Sequence, residues 1–224
     1  MSTITIPANG TTSAPEAIRL PRLERHEIAI PIVGLSPFIP QRWSEKSKSM
    51  MRDKQQSASP IRSKKPPKEP ERDAFDSTYW VVPGEVPGAP ATAFKSEIIG
   101  ACRFYDRKTF PMTAAKRSIF VLGEGPEQLV PLVAEWEMRE DTPRNADGGT
   151  DLRYRNYMYP WSCVLHVAFI ATMIDAASVV NLVDAAGNGG IGSWRPSSPK
   201  SASGTYGRFQ VDTSQDTVLI KGGN

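Results

Sequence analysis

The stretch WSCVLHVAFIAT, residues Trp161–Thr172, is the most apolar strand-like segment of the chain and predicts the centre of a β-sheet. Its side chains alternate, with Trp161 and Phe169 on one face and Val164 and Ile170 on the other. Both faces are largely apolar, which is typical of a strand that is covered on both sides. We therefore expect this strand to lie in the middle of the sheet.

The elements on either side of this strand indicate the fold class. HEIAIPIV, from His26 to Val33, alternates in the same way and predicts a second strand. Residues 91–105 and the segment after Asp175 predict helices, because their apolar residues recur once per turn. YGRFQV and TVLI, near the end of the sequence, predict closing strands. The order favours an α+β fold with a ferredoxin-like/RRM-like βαββαβ core and long insertions.

The 224 residues suit one large domain with polar additions. Residues 1–22 are polar and predict a flexible N-terminal arm, so that the domain covers 23–224. One insertion, at about 42–75, consists of a basic helix at 43–56 and a linker at 57–73 that is rich in proline and charge. A second insertion, at 138–159, predicts a hairpin-like excursion.

Positive charge is concentrated in one part of the chain. Residues 42–72 contain ten Lys and Arg and four Asp and Glu, a surplus of six, whereas the whole chain carries +3 and the remainder therefore −3. A basic segment on a nearly neutral body favours a polyanionic partner over an acidic small molecule.

The composition also argues against several classes of protein. Two cysteines without a CxxC pair give no indication of a disulfide framework or a zinc site. The sequence does not start like a signal peptide, and no run of about 18 apolar residues predicts a membrane span. We therefore expect a cytoplasmic protein, in the host cytoplasm if it is phage-encoded, with no membrane partner.

Residues suited to catalysis are sparse. His166 lies within the most apolar strand, which favours a hydrogen-bonded core residue, and His26 is a remote candidate for a general base. No serine lies in a G-x-S-x-G elbow. Glu135 and Glu137 share one face of a predicted strand and could hold a divalent cation, but solvated carboxylates are the simpler interpretation. We expect a non-catalytic protein without cofactor or metal.

The segment GNGGIGSWRPSSPKSASGTYGRF, from Gly187 to Phe209, begins with the spacing G-x-G-x-x-G. A dinucleotide-binding motif needs a strand before it and a helix after it, and a P-loop ends in Gly-Lys-Ser/Thr; this segment fits neither pattern. Two interpretations stay open. The segment is a connecting surface loop, or its glycines approach a sugar–phosphate backbone while its cations bind phosphates and its aromatic rings stack on bases.

The helix, the glycine-rich loop and the strand that opens Tyr206-Gly207-Arg208-Phe209 resemble the C-terminal element of the RAMP superfamily, the RRM-like proteins of CRISPR effector complexes. The most similar type is the backbone subunit, which polymerises along a guide RNA. The resemblance covers about forty residues. It implies an RRM-like palm with long insertions, a thumb hairpin in the 138–159 excursion and oligomers on single-stranded nucleic acid. Its positions for contact with the RNA backbone are Gly189, Gly190, Gly192, Arg195 and Arg208.

Three segments are candidates for nucleic-acid contact: the basic helix, the hairpin-like excursion and the glycine-rich loop. The alternatives are a solubilising linker for the first, and for the second a solvated hairpin whose arginines pair with Glu137, Glu140 and Asp151. The candidate residues are Lys46, Lys48, Arg52, Arg153, Arg155, Gly189, Gly190, Gly192, Trp194, Arg195, Lys200, Tyr206 and Arg208.

These observations support three hypotheses. The first is a non-catalytic protein that grips the sugar–phosphate backbone of single-stranded RNA or DNA, with RNA favoured, and that oligomerises along it. The second is a phage structural or assembly protein with no role for nucleic acid; the segment Ile28–Met51 is similar to small phage-encoded proteins. The third, ranked below both, is a metal-dependent nuclease that uses the glutamates near Glu137.

Overall fold

A computed structural model describes residues 20–56, 67–106, 108–143, 150–199 and 203–221. The strands are β1 (Arg25–Gly34), β2 (Tyr79–Val82), β3 (Val86–Pro90), β4 (Ile119–Leu122), β5 (Leu129–Pro131), β6 (Val133–Asp141), β7 (Arg153–Ile170), β8 (Phe209–Val211) and β9 (Val218–Lys221). The helices are α1 (Glu45–Gln56), α2 (Pro70–Asp76), α3 (Ala91–Ala101), α4 (Met112–Ser118) and α5 (Ala176–Ala186). A 3-10 turn, Cys102–Phe104, follows α3.

The C-terminal half of β7 lies at the centre of the main sheet, as the sequence predicts. Strand β7 pairs with β1 on one edge. On its other edge, β6 pairs with the N-terminal part of β7 and β4 with the C-terminal part. Strands β8 and β9 pair with the far edge of β1, and all of these pairs are antiparallel. In the order β4–β7–β1–β8, strand β7 lies between β1 and β4, and α3 belongs to the connection between those two strands. Strand β1 lies between β7 and β8, which α5 connects. This arrangement is the split βαβ pattern, and it confirms the α+β class with an RRM-like core.

Helices α3 and α5 cover only one face of the main sheet. Leu165 of β7 is completely buried in the core that these helices share with the sheet, whereas Val164 is 45% exposed. The prediction that both faces of β7 are covered is therefore wrong for the second face. His166 also lies on that open face, where its Nδ1 is 2.7 Å from Glu27 Oε1, and it is not the core residue that the apolar strand suggested.

Three local differences from the sequence predictions share one physical cause. The residues of PGEVPG, 83–88, are typical of a turn, yet β3 begins at Val86 and is the middle strand of a second sheet, β2–β3–β5. The last residues of the 57–73 linker belong to α2, which packs on β7. Helix α4 has no counterpart in the sequence analysis. In each case contacts with distant segments outweigh weak local preferences.

The other predicted element boundaries are close to the observed ones or lie outside the described residues. The basic helix at 43–56 is confirmed as α1, and the helix predicted to end at 105 ends four residues earlier as an α-helix. Of the 1–22 arm, only residues 20–22 are described, and the single-domain division stays a prediction. Within the described ranges, no helix has the length and apolar character needed to cross a membrane.

Two neighbouring residues of β7 test whether only one face of the sheet is covered. We expect Leu165→Ala to lower the free energy of unfolding by about 2–5 kcal/mol, because it leaves a cavity in the core. Val164→Ala, on the open face, is expected to change it by less than about 0.5 kcal/mol. Urea unfolding followed by circular dichroism measures both. Equal losses would show that the second face is covered as well.

Candidate nucleic-acid interface

The β6–β7 hairpin is held near its loop end by three charged side chains, of which Asp141 and Arg155 are buried and Arg139 is partly exposed. Arg139 of β6 lies directly opposite Arg155 of β7, an arrangement in which two like charges repel. Asp141 relieves this repulsion by accepting from both. Its Oδ1 lies 2.7 Å from Arg139 Nε, and its Oδ2 lies 3.2 Å from Arg155 Nη2. Burial lowers the pKa of the Arg155 guanidinium, while Asp141 acts in the opposite direction.

The same arginines bind the glycine-rich segment, residues 187–209. Arg155 Nη1 donates to Ser193 Oγ at 2.7 Å, and its guanidinium carbon lies 4.5 Å from the centre of the Trp194 ring. Arg139 Nη1 donates to the Tyr206 hydroxyl at 3.0 Å. The hairpin and the glycine-rich segment are therefore joined by hydrogen bonds and cation–π contacts.

The glycines of this segment are required by packing within the chain itself. Gly207 has a φ of +67°, and a Cβ there would collide with the Ile191 carbonyl oxygen. Gly192 has a φ of +79° and lies against the Phe38 ring and the Ile39 carbonyl oxygen. These contacts support the interpretation as a connecting loop, because no outside ligand is needed to explain the glycines.

Glu97 of α3 anchors the middle of the glycine-rich segment. It is only 8% exposed, and its Oε1 accepts from Ser197 Oγ at 2.8 Å and lies 3.4 Å from Arg195 Nε. Burial raises the pKa of the Glu97 carboxyl, although the bonds from Ser197 and Arg195 oppose the shift. Arg195 also donates to the Gly192 carbonyl oxygen at 3.0 Å, so this predicted phosphate ligand is engaged within the protein.

A cleft of about 470 Å³ opens between α1, the chain around α2 and the loop end of the β6–β7 hairpin. We call it the cationic cleft, because five of its lining residues are cations and only two, Asp73 and Asp151, are acidic. The five cations are Arg42, Lys46, Lys68, Arg153 and Arg155.

Gln41 connects this cleft to the glycine-rich segment. It lines the cationic cleft, and its Oε1 accepts from Ser193 Oγ at 3.0 Å. It also lines a smaller cleft of about 300 Å³ that includes Glu97, Gly192 and Arg195. One continuous band therefore runs from α1, past Arg155, to the glycine-rich segment.

The structure brings some of the predicted site residues together and leaves others apart. Lys46, Arg153 and Arg155 meet in the cationic cleft, while Trp194 and Tyr206 pack against the arginines of the hairpin. The alternative of internal pairing holds for both predicted arginines, since Arg153 lies 3.9 Å from Asp151 and Arg155 is paired with Asp141.

The remaining predicted residues lie outside the cleft. Lys48 and Arg52 both pair with Glu45 on α1, at 2.6 and 3.6 Å. Gly189 lies against Glu97, Gly190 against the Tyr206 carbonyl oxygen, and the main chain of Arg208 bonds with Ser36. Lys200 lies outside the described residues.

Several residues of the band were not predicted from the sequence. Arg139, Asp141 and Ser193 gave no signal, because their partners are distant in the chain. Glu97 did give a sequence signal, since it lies three residues after the buried Phe94 and so falls on the buried face of α3.

The carboxylates proposed for a metal site do not converge. A register shift between Ala134 and Trp136 interrupts the alternation on which the pairing of Glu135 with Glu137 depended. Both glutamates are exposed. Among the residues that the structure describes, no three His, Cys, Asp or Glu side chains are grouped so that they could hold a metal ion.

The solved structures that are similar to this chain include the following two. Type III-B Cmr-beta, in a cryo-EM structure bound to cognate target RNA, has a TM-score of 0.47 and 11% identity and covers 88% of this chain. The likeness spans 61% of that protein's chain, which is less than two thirds of its length. Cmr6 from Pyrococcus furiosus has a TM-score of 0.40 and 10% identity over 85% of this chain and 100% of its own.

No protein-family model matches the sequence, and no curated protein matches it.

Gly207 and Gly125 form a matched pair for testing the packing of the glycine-rich segment. Both have a positive φ, but a Cβ at Gly125 meets nothing within 4 Å. We expect Gly125→Ala to cost about 1–2 kcal/mol of stability from backbone strain alone. Gly207→Ala is expected to cost about 1–3 kcal/mol more, because the added methyl group collides with Ile191. Chemical unfolding of the two variants measures the difference, and equal costs would contradict the close packing.

The raised pKa of Glu97 predicts a pH dependence of stability. Because the folded protein holds this proton more tightly than the unfolded chain, the contribution of Glu97 falls as the pH rises from the ordinary glutamate value through the raised pKa. Glu97→Gln keeps an acceptor for Ser197 but does not titrate. The unfolding free energy of the native protein minus that of the variant should therefore decrease from pH 4 to pH 7 in urea titrations. A difference that rises with pH would show that burial does not control this carboxyl.

Proposed function

We propose that the protein is a non-catalytic binder of single-stranded nucleic acid, with RNA favoured, and that it holds the sugar–phosphate backbone along the band described above. One observation carries this proposal. Three segments that are far apart in the sequence, namely α1, the β6–β7 hairpin and the glycine-rich segment, meet around Arg155. All three were candidates for nucleic-acid contact on the basis of their sequence.

The charge along the band supports a polyanionic ligand. Lys46 donates to the Pro67 carbonyl oxygen at 3.1 Å, a bond that leaves its positive charge uncompensated. On α1, the single carboxylate of Glu45 serves both Lys48 and Arg52, so this helix presents a surplus of positive charge beside the cleft. Such cations bind phosphates and release counterions, which makes binding sensitive to salt.

The structure divides the predicted contact residues into two kinds. Arg155, Trp194 and Arg195 build the band, because their charged or aromatic groups are engaged within the protein. Lys46 and Arg208 are half-buried cations of the band, and they are the better candidates for direct phosphate contact. Assembly of copies along one strand and a cytoplasmic location, in the host if phage-encoded, stay predictions from the sequence.

One observation favours the alternative of a structural or assembly protein. The open face of the main sheet presents exposed apolar side chains, among them Phe120, Val164 and Val218, and an exposed apolar surface can serve as a protein interface. In that case the protein would form oligomers without nucleic acid.

The test compares salt-dependent binding in two matched double variants. Lys46→Ala/Arg208→Ala removes two cations of the band, whereas Lys116→Ala/Arg117→Ala removes two exposed cations of α4, which lines neither cleft. Fluorescence anisotropy with labelled 30-mers of RNA and DNA is measured between about 50 and 200 mM salt. The slope of log affinity against log salt is negative, and we expect its magnitude to decrease by about 1.4 in the first variant only.

Three results would count against the proposal: no binding of either strand at low salt, binding that does not depend on salt, or equal losses in the two variants. Oligomers that form without nucleic acid, detected by light scattering of the same samples, would favour the assembly protein.

A further inference from the structure

We propose that the cationic cleft is a nucleotide site that takes one base together with its phosphate. The nucleotide could come from two sources, a free nucleoside monophosphate or one residue of a bound strand. The second source rests on the proposed function, whereas the first does not. The cleft has about 470 Å³, within the range of about 300–1,000 Å³ that is typical of small-molecule sites.

One wall of the cleft is suited to a phosphate. Lys46 and Lys68 each donate to a neutral carbonyl oxygen, of Pro67 at 3.1 Å and of Leu152 at 2.7 Å. Asp151 is the acidic residue beside Lys68, and its Oδ1 lies 3.5 Å from Lys68 Nζ. This distance exceeds the range of about 2.7–2.9 Å for close charge-assisted bonds, so a phosphate oxygen could approach Lys68 more closely.

A buried donor at the hairpin side of the cleft also points to an anion. Arg155 is only 4% exposed, and it lines the cleft while Nη1 and Nη2 bind Ser193 and Asp141. Its Nε–H has no acceptor among the residues that the structure describes. Buried donors are nearly always satisfied, so an unsatisfied one calls for an explanation. A bound phosphate in the cleft would supply the acceptor, directly or through water.

The wall formed by α1 and the two residues before it is suited to a base. Trp43, Lys46 and Met50 recur at a spacing of three to four residues, and all line the cleft with Met51 beside them. The Trp43 side chain is 51% exposed and offers a flat ring on which a base can stack. Methionine side chains adapt to irregular apolar surfaces, so this wall can accept bases of different shape.

The two walls together distinguish a nucleotide from simpler ligands. Inorganic phosphate would leave Trp43 and the methionines without a contact, and a purely apolar ligand would leave the lysines facing a group that cannot pair with them. With five cations against two acids, the lining disfavours a cationic ligand. A base joined to a phosphate satisfies both walls at once.

The first arm of the experiment tests free nucleotides. Binding of AMP, CMP, GMP and UMP to the full chain is measured by titration calorimetry, with adenosine and inorganic phosphate as partial ligands. We expect each monophosphate to bind at least five times more tightly than either partial ligand. Trp43→Ala and Lys46→Ala should each weaken binding by fivefold or more, because one loses stacking and the other loses a phosphate contact.

The second arm tests a nucleotide within a strand. Anisotropy compares a base-bearing 30-mer with a 30-mer of abasic units. The quantity of interest is the affinity for the base-bearing strand divided by the affinity for the abasic strand. We expect the ratio to exceed one in the native protein and to fall by about fivefold in Trp43→Ala. The matched controls are Phe104→Ala, which removes an exposed aromatic ring that lines neither cleft, and Lys116→Ala on α4. Both controls should leave the ratio and the nucleotide affinities unchanged.

The outcomes separate this inference from the proposed function. Nucleotide binding in the first arm assigns the free source, and a Trp43-dependent ratio in the second assigns the strand. The nucleotide site is overturned if no monophosphate binds and the ratio is the same in the native protein and Trp43→Ala, even where salt-dependent strand binding persists. Nucleotide binding without any strand binding would instead overturn the proposed function and leave the nucleotide site in place.

Discussion

The carboxylate of Asp141 is the constraint on which the surface of this protein depends. It lies between two guanidinium groups that face each other across the β6–β7 pair, and it bonds to both. Removing one partner of such a buried group costs about 3–5 kcal/mol, because the remaining charge is left without compensation in a poorly solvated site. The arginines in turn contact Ser193, Trp194 and Tyr206, so this group holds the part of the glycine-rich segment that faces the hairpin.

This arrangement changes the role of the arginines that the sequence singled out. A charged strand such as Arg153–Tyr159 suggests side chains that reach into solvent to bind a ligand. Arg155 instead joins two parts of the protein. In the proposed function Arg155 contributes placement, because it orients one side of a cleft whose other side is α1. Lys46 comes from this helix, in which none of the residues with described side chains is buried.

The main sheet shows why a βαββαβ core leaves room for such additions. Its two long helices both cover one face, and its central strand extends beyond the core to form the hairpin with β6. The same strand, β7, runs continuously from the loop end of the hairpin into the buried sheet. Position and direction of the hairpin are therefore inherited from the core, and they set one side of the cleft.

Local pattern was enough to predict much of the fold. The alternation in β1 and β7 and the helical periodicity of α3 and α5 are properties of short stretches, since backbone hydrogen bonding imposes their periods. The order of these elements then leaves few topologies, and the split βαβ pattern is one of them. The resemblance of the glycine-rich segment to RAMP proteins added the hairpin to this expectation.

The site depended on contacts that no short stretch encodes. Asp141 lies 14 residues from Arg155, and Glu97 lies 100 residues from Ser197, yet each pair is joined by a direct bond. The open face of β7 was mistaken for a covered one because a strand's composition does not say on which side the helices pack. Whether a lysine or arginine is free for a ligand depends in the same way on which carboxylate the folded chain brings within 4 Å. Burial and charge pairing are properties of the assembled structure, and they decided which of the predicted residues form the band and which only support it.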